Sequence, residues 1–346
     1  MSKLFFFLLA GGLGLAALAG CHPLEPYQTE RFALTADPAA ADGYPMEIVE
    51  GRFLTSENQA ISLSTKFLEG DWGESSTSSV SGDGRAAAPD SLEVRWFSYP
   101  EDKFYEGHFL LPQRRIYDLL KQGYWNTDDQ RHETYSALTT CLLPTGVVVV
   151  WLSGQNQVLL GRYQGQEIKF DFKHFNEAAN RPRMIAQEQA KLPATVQAEI
   201  RTHSLSTRKW DTYLKTYPWK IEFSQPLDLY YYGVDYFNGE ALSYPPGKDT
   251  INYAKAFLGT GVRPVPHNLL LKVNAGYGRK REVFIKAFDE AETFQAFQAL
   301  HAANPTLPLT LYIETDERVS KARLILKNER QQVELTKAQV GLYNGN

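Results

Sequence analysis

Apolar positions in this chain alternate along short runs more often than they recur at helical spacing. Leu92, Val94 and Trp96 share one face of a strand predicted over 92–99, and 103–111 returns as its partner after the Pro100-Glu101-Asp102 turn. Shorter strands are predicted at Met46 to Val49 and Ile61 to Leu68. Between them and Leu92, the Gly70-Asp71-Trp72-Gly73 turn opens a Ser/Gly-rich loop over 75–84. The segment from Gly146 to Leu152 is apolar at every position after its glycine, which predicts a central strand buried on both faces. Val158 to Tyr163 and Ile168 to Phe172 read as its hairpin neighbours. Helical spacing is confined to a few places. Ile116, Leu119 and Leu120 form a stripe after Pro112 that Gly123 ends, and 176–217 turns to Ala, Gln, Glu and Lys.

The second half restates the first at near-equal offsets. Tyr44-Pro45 and Ile48 recur as Tyr217-Pro218 and Ile221, and the stripe Ile116, Tyr117, Leu120 falls on Thr293, Phe294, Phe297. Asp289 is placed to cap the later helix, with Glu292 closing a capping box. The fold class expected is α+β, with two tandem, duplicated domains. Each is a mainly antiparallel sheet with a helix packed on it, over 44–175 and 217–346, joined by a helical connector over 176–216.

Residues 1–20 look different from all of this. Lys3 precedes an uncharged run that ends Leu18-Ala19-Gly20-Cys21, the order of an export signal meeting a lipid-attachment cysteine. Cys21 is therefore the expected lipidation site and membrane contact, and 21–43, rich in Pro and Ala, the expected flexible tether. His22 in place of an aspartate directs the expectation to the outer membrane, facing the periplasm. The formal charge of the 346-residue chain is −4, which argues against nucleic acid. With Cys21 acylated only Cys141 remains, so no internal disulfide is available.

The search for chemistry finds fragments. His132-Glu133 lacks the second histidine of a zinc helix, and the histidines have no ligand spacing, so no metal and no cofactor are expected. Gly276 to Arg281 joins two strands instead of opening a helix, and reads as a hairpin turn with a basic edge. Glu101-Asp102 and Asp128-Asp129 sit in turns, and Cys141 reads as a buried apolar residue. No catalytic residue is assigned. Aromatic density is the remaining signal. Trp72, Tyr230, Tyr232, Tyr236 and Phe237 are the candidate partner-binding residues, while Tyr231 reads as an inner-face residue of its strand.

Several stretches resemble one family of Gram-negative lipoproteins known as domain of unknown function 2931. They are Gly70-Asp71-Trp72-Gly73 with Ser75-Ser76, Trp96 with Ser98-Tyr99, Glu101-Asp102 and Phe104-Tyr105, Gly146 to Trp151, and Gly161 to Gln166. Tyr236 to Glu240 extends the likeness more diffusely into the second half. The resemblance supplies no catalytic residues. It implies a non-enzymatic lipoprotein that binds a protein partner, a secreted effector, in the manner of immunity proteins against type VI secretion effectors of lipase type. The alternative class is an envelope lipoprotein that binds lipid, glycan or a structural partner.

Overall fold

The chain is described by a computed structural model over residues 24–70, 72–126, 129–244, 250–276 and 278–345, without the side chains of 250–253. It is mostly sheet, 45% strand and 21% helix, with several antiparallel sheets, so the α+β expectation holds with strands dominant. The expected export signal, residues 1–20, and the expected lipidation site Cys21 lie outside the described residues. No helix among the described residues is long and apolar enough to cross a membrane.

Helix α1 (Pro26–Thr29) and strand β1 (Arg31–Ala33) lead into β2 (Thr35–Ala40), β3 (Met46–Leu54), β4 (Ala60–Ser62) and β5 (Phe67–Leu68). Then follow β6 (Arg85–Ala87), β7 (Ser91–Ser98), β8 (Lys103–Leu110) and helix α2 (Gln113–Gln122). The pair β9 (Tyr124–Asn126) and β10 (Arg131–Glu133) precedes β11 (Ala137–Leu143), β12 (Val147–Ser153), β13 (Gln157–Gln164) and β14 (Gln166–Ile168). The two larger sheets have the orders β14-β8-β7-β3-β4 and β2-β11-β12-β13, beside the two-stranded pairs β1-β6 and β9-β10. Strands β11 and β12 are buried at every position. Leu138, Leu142, Val148, Val150 and Leu152 face the core between these two sheets, while Cys141, Leu143, Val147, Val149 and Trp151 face a second core on the other side. The period of two explains both sets, because a strand with no solvent face has no use for polar alternation.

The expected tether is the largest departure. From Leu24 onward it is part of the fold, and β2 pairs in parallel with β11 from Thr35↔Ala137 to Ala40↔Leu142. Ala36, Ala40 and Ala41 are fully buried. Alanine carries too little apolar surface to show a periodicity, yet it is what fits where strand and sheet approach closely. Pro38 is tolerated because β2 is an edge strand. That edge is covered by the polar loop, through the Ala36↔Ser79 bridge and the Ser75 hydroxyl, which donates to the Pro38 carbonyl at 2.5 Å.

Helices α3 (Phe172–Phe175), α4 (Arg181–Lys191), α5 (Ala194–Thr202) and α6 (Arg208–Tyr213) occupy the stretch between the halves. Phe172 and Ile185 from them pack with Phe97, Tyr99 and Phe104. The second half runs β15 (Thr216–Phe223), β16 (Asp228–Tyr236), β17 (Ala241–Tyr244), α7 (Thr250–Leu258), β18 (Gly261–Pro264), β19 (Pro266–Asn274), β20 (Lys280–Ala287), α8 (Glu290–Ala303), β21 (Leu309–Thr315), β22 (Ala322–Lys327), β23 (Gln332–Glu334) and β24 (Gln339–Asn344). Its sheets are ordered β18-β15-β21-β22-β23 and β17-β16-β19-β20-β24. β15 is parallel to β21, as β2 is to β11. Tyr44-Pro45 and Tyr217-Pro218 are not in matching places. Pro45 precedes β3, which pairs antiparallel with β7, whereas Tyr217-Pro218 lies in β15. The halves also share structure: β13 meets β17 at Gln157↔Ala241, making one nine-stranded sheet, and Ala39, Cys141 and Trp151 belong to the second-half core.

At the start of α8 the Asp289 carboxylate accepts from the Glu292 N–H at 2.8 Å, as expected of a cap. Glu292 does not close the box. Its carboxylate accepts from the Thr336 and Lys337 N–H groups at 3.1 and 3.0 Å and so ties α8 to the turn before β24.

One glycine has a defined steric role. A Cβ on Gly107 would stand 2.0 Å from the Phe109 ring, which lies back along its own strand over the glycine. Gly107→Ala is expected to lower stability by about 2 kcal/mol, the usual cost of overpacking. Urea unfolding checks it, and in a double-mutant cycle Phe109→Leu should recover part of the loss.

Candidate functional site

The two halves meet along a seam built from backbone turns and tryptophans. The turn Asn238-Gly239 after β16 presents its carbonyls to the first half, and Gly239 takes the left-handed conformation (φ +83°) that lets it lie against the Trp151 ring. The Trp151 indole N–H donates to the Asn238 carbonyl at 3.0 Å, and the Trp72 indole N–H donates to the Phe237 carbonyl at 2.7 Å. The two indoles stand edge to face with centroids 4.9 Å apart. Gln157 donates its amide to both the Gly73 and Gly239 carbonyls, at 2.8 and 2.5 Å. Glu240 accepts from the Leu159 N–H and from Asn238, both at 2.9 Å. Asn156, itself buried, accepts from the Ser243 N–H.

Above this seam opens a cleft of about 770 Å³. Its floor carries Trp72, Tyr213, Tyr236 and Phe237, continued inward by Phe294, whose ring lies 5.1 Å from Phe237 and 5.7 Å from Tyr213. Glu74, Asp235, Glu290 and His267 stand exposed around it, with Glu240 half-buried among them. Among the described lining residues four carboxylates face one imidazole, so the lining favours a cationic group, while Arg208 and Lys209 stand at its edge beside Tyr213 and Glu290. Burial pushes the phenol of Tyr213 up, with Glu290 beside it as the second cause, and burial likewise raises Tyr236. Both phenols stay protonated at neutral pH.

The expected partner-binding residues divide. Trp72, Tyr236 and Phe237 come together in this cleft, but Tyr236 and Phe237 are 4% and 8% exposed and support it from beneath. Tyr232 is also buried, stacked on Phe257 with centroids 3.8 Å apart. Tyr230 lies apart, half-buried, with Lys280 over its ring. An exposed aromatic patch is therefore not what these five form. Aromatic density in sequence marks core and surface alike, and here most of it fills the core. The carboxylate rim and the Gln157–Glu240 clasp gave no sequence signal, since their partners lie about eighty residues apart and their neighbours are ordinary loop residues.

The other fragments are structural. His132 and Glu133 belong to β10, where His132 meets the Gln122 carbonyl at 2.8 Å and Glu133 accepts from Asn126. Glu101 accepts from the Ser98 and Tyr105 hydroxyls and the Thr145 N–H, holding the turn where Thr145 has φ +60°. Asp102 pairs with Arg181 at 2.8 Å. Asp129 pairs with Arg131, while Asp128 lies outside the described residues. No group of three or more metal-ligating side chains is found among the described residues. Cys141 is fully buried, and burial pushes its thiol up to about 12.

A second cavity, of about 750 Å³, lies over the outer face of β3, β7 and β8. Its side chains form an ion-paired ladder, Arg52–Glu93–His108 in one row and Glu50–Arg95–Glu106 in the next, in which two arginines meet three carboxylates. The pairs are exposed and contribute little to stability.

The family model described as "Protein of unknown function (DUF2931)" matches residues 23–207, more than half the chain. The chain belongs to this family. The DUF2931 match ends inside the helical stretch, before β15, so it spans the first half and leaves the second-half sheets outside it. No curated protein and no solved structure matches the chain. The stretches that carry the DUF2931 resemblance are packing points: Trp72, Trp151 and Gly239 meet in the seam, and Trp96, Tyr105, Gly146 and Gly165 pack on one another.

Two outcomes are expected. Ellman's reagent at pH 8 should leave Cys141 untouched in the folded protein and label it after denaturation. Alkaline titration followed at 295 nm should lag that of the unfolded chain, whose tyrosines ionise near pH 10. Because the folded phenols of Tyr213 and Tyr236 are raised, their contribution to stability is complete below pH 10 and is lost as pH rises beyond it.

Proposed function

We propose that this protein is a non-enzymatic binding protein, lipid-anchored through Cys21 at the outer membrane and facing the periplasm, that holds and occludes a protein partner in the seam cleft. The observation that carries this reading is how the polar groups of the seam beneath the cleft are used. Gln157, Asn156, Asn238 and Glu240 are committed to backbone and side-chain partners across the seam, which stiffens a recognition surface and leaves none of these four poised for proton transfer. The surrounding carboxylates favour a partner that presents a basic loop. A secreted antibacterial effector, of the lipase type delivered by type VI secretion, is the partner proposed. Neither cavity is an apolar chamber, which weighs against an envelope lipid as the ligand.

The two halves are further proposed to be copies of one sandwich, with α4 to α6 as the connector. The support is the recurrence of strand order and of the parallel β2/β11 and β15/β21 pairs, with α2 and α8 at corresponding points. Residues 24–215 and 216–345 expressed as separate chains should reassemble, with the far-UV spectrum of the intact protein; failure of both to associate counts against two complementary units.

Co-expression in the periplasm with the effector should protect the cell and yield a complex that co-purifies. Glu74→Lys combined with Asp235→Lys and Glu290→Lys should weaken that complex by about tenfold or more, with an unchanged circular-dichroism spectrum, since exposed rim charges set association. No protection and no complex would refute the reading.

A further inference from the structure

The folded body begins very near the expected lipid. Leu24 is three residues beyond Cys21 and helix α1 begins at Pro26, five residues beyond it. At full extension of roughly 3.5 Å per residue, five residues reach about 17 Å, so the start of α1 stays within about 10 Å of a headgroup layer that is itself roughly 5–8 Å deep. Helix α1 is not free to swing away, because α2 holds it. The Tyr27 ring meets Tyr117 edge-on at 6.4 Å, and the Arg114 guanidinium lies 5.3 and 5.9 Å from the two rings. Glu30 accepts from the Tyr117 hydroxyl and from Lys121, both at 2.8 Å.

We infer that the α1–α2 corner is the membrane-docking face of the protein, laid onto the headgroup layer by the lipid on Cys21. The inference rests on the lipoprotein reading above and adds to it an orientation. The corner's chemistry suits that layer. Leu24 is 45% exposed, Tyr27 and Tyr117 are half-buried rings with polar tips, and Arg115 is exposed beside them. Arg114, Arg115 and Lys121 balance Glu25, Glu30 and Asp118, so the corner is neutral in a chain of net charge −4. It meets anionic headgroups without the repulsion that the whole molecule would otherwise bring.

The test couples the chain from residue 21 onward, through the Cys21 thiol, to a maleimide-bearing phospholipid in phosphatidylcholine vesicles. Buried Cys141 does not compete. Lysine acetylation read by mass spectrometry should then slow about fivefold at Lys121 on vesicles, relative to the free protein, as expected for a side chain shielded at the headgroup layer, with Lys321 and Lys337 unchanged. A Gly/Ser insert of about twenty residues after His22, spanning roughly 25 Å, should abolish the protection if the short reach alone imposes the orientation. Protection that survives the insert also supports the docking face and gives it an affinity of its own. Lys121 as reactive on vesicles as in solution, or all three lysines shielded alike, would overturn the inference. Because the lipid is supplied chemically, an unacylated Cys21 in cells would sink the anchor reading and leave this result standing.

Discussion

The structure depends on two strands that have no face to give to water. Strands β11 and β12 bury every side chain, one set against the first sandwich and the alternate set against the second-half core. Each fully buried Val or Leu there contributes about 1.5–3 kcal/mol relative to exposure. Two-sided burial removes the freedom to slip in register, because a one-residue shift exchanges the two sets between cores that they do not fit. It also explains why the halves share a sheet and a core despite a family match that covers only the first.

The seam follows from that arrangement. Trp151 can reach the Asn238 carbonyl only because β12 carries it to the face turned toward the second half. Trp72 repeats the device one carbonyl earlier, and Gln157 and Glu240 complete it with backbone partners. Backbone carbonyls and N–H groups brought together at a junction need such partners or water. The stretches by which the sequence resembles the DUF2931 family are thus largely parts that hold the molecule together.

Legibility in the sequence tracked side-chain volume and local reach. The valine run announced a doubly buried strand, and β7, β8 and α2 fell where alternation and the Gly123 stop placed them. The Asp289 cap was readable because its partner is three residues away. Glu292 was not, since its carboxylate is used forty-four residues on by Thr336. Ala36, Ala39 and Ala40 hid a strand because small residues look alike in a linker and in a tight sheet contact. Tyr232, Tyr236 and Phe237 misled in the opposite direction, since large rings in a row suggest recognition and here mostly fill space.

Pairing of β2 with β11 has a kinetic corollary under the export proposed above. Thr35 must wait for Ala137, so the edge of the central sheet closes only after about a hundred further residues have emerged. Ordering such a distant pair defers the gain until loop-closure entropy has been met. A chain threaded N-terminus first through a narrow translocation channel would therefore remain extended for much of its passage, which is the state that such a channel accepts.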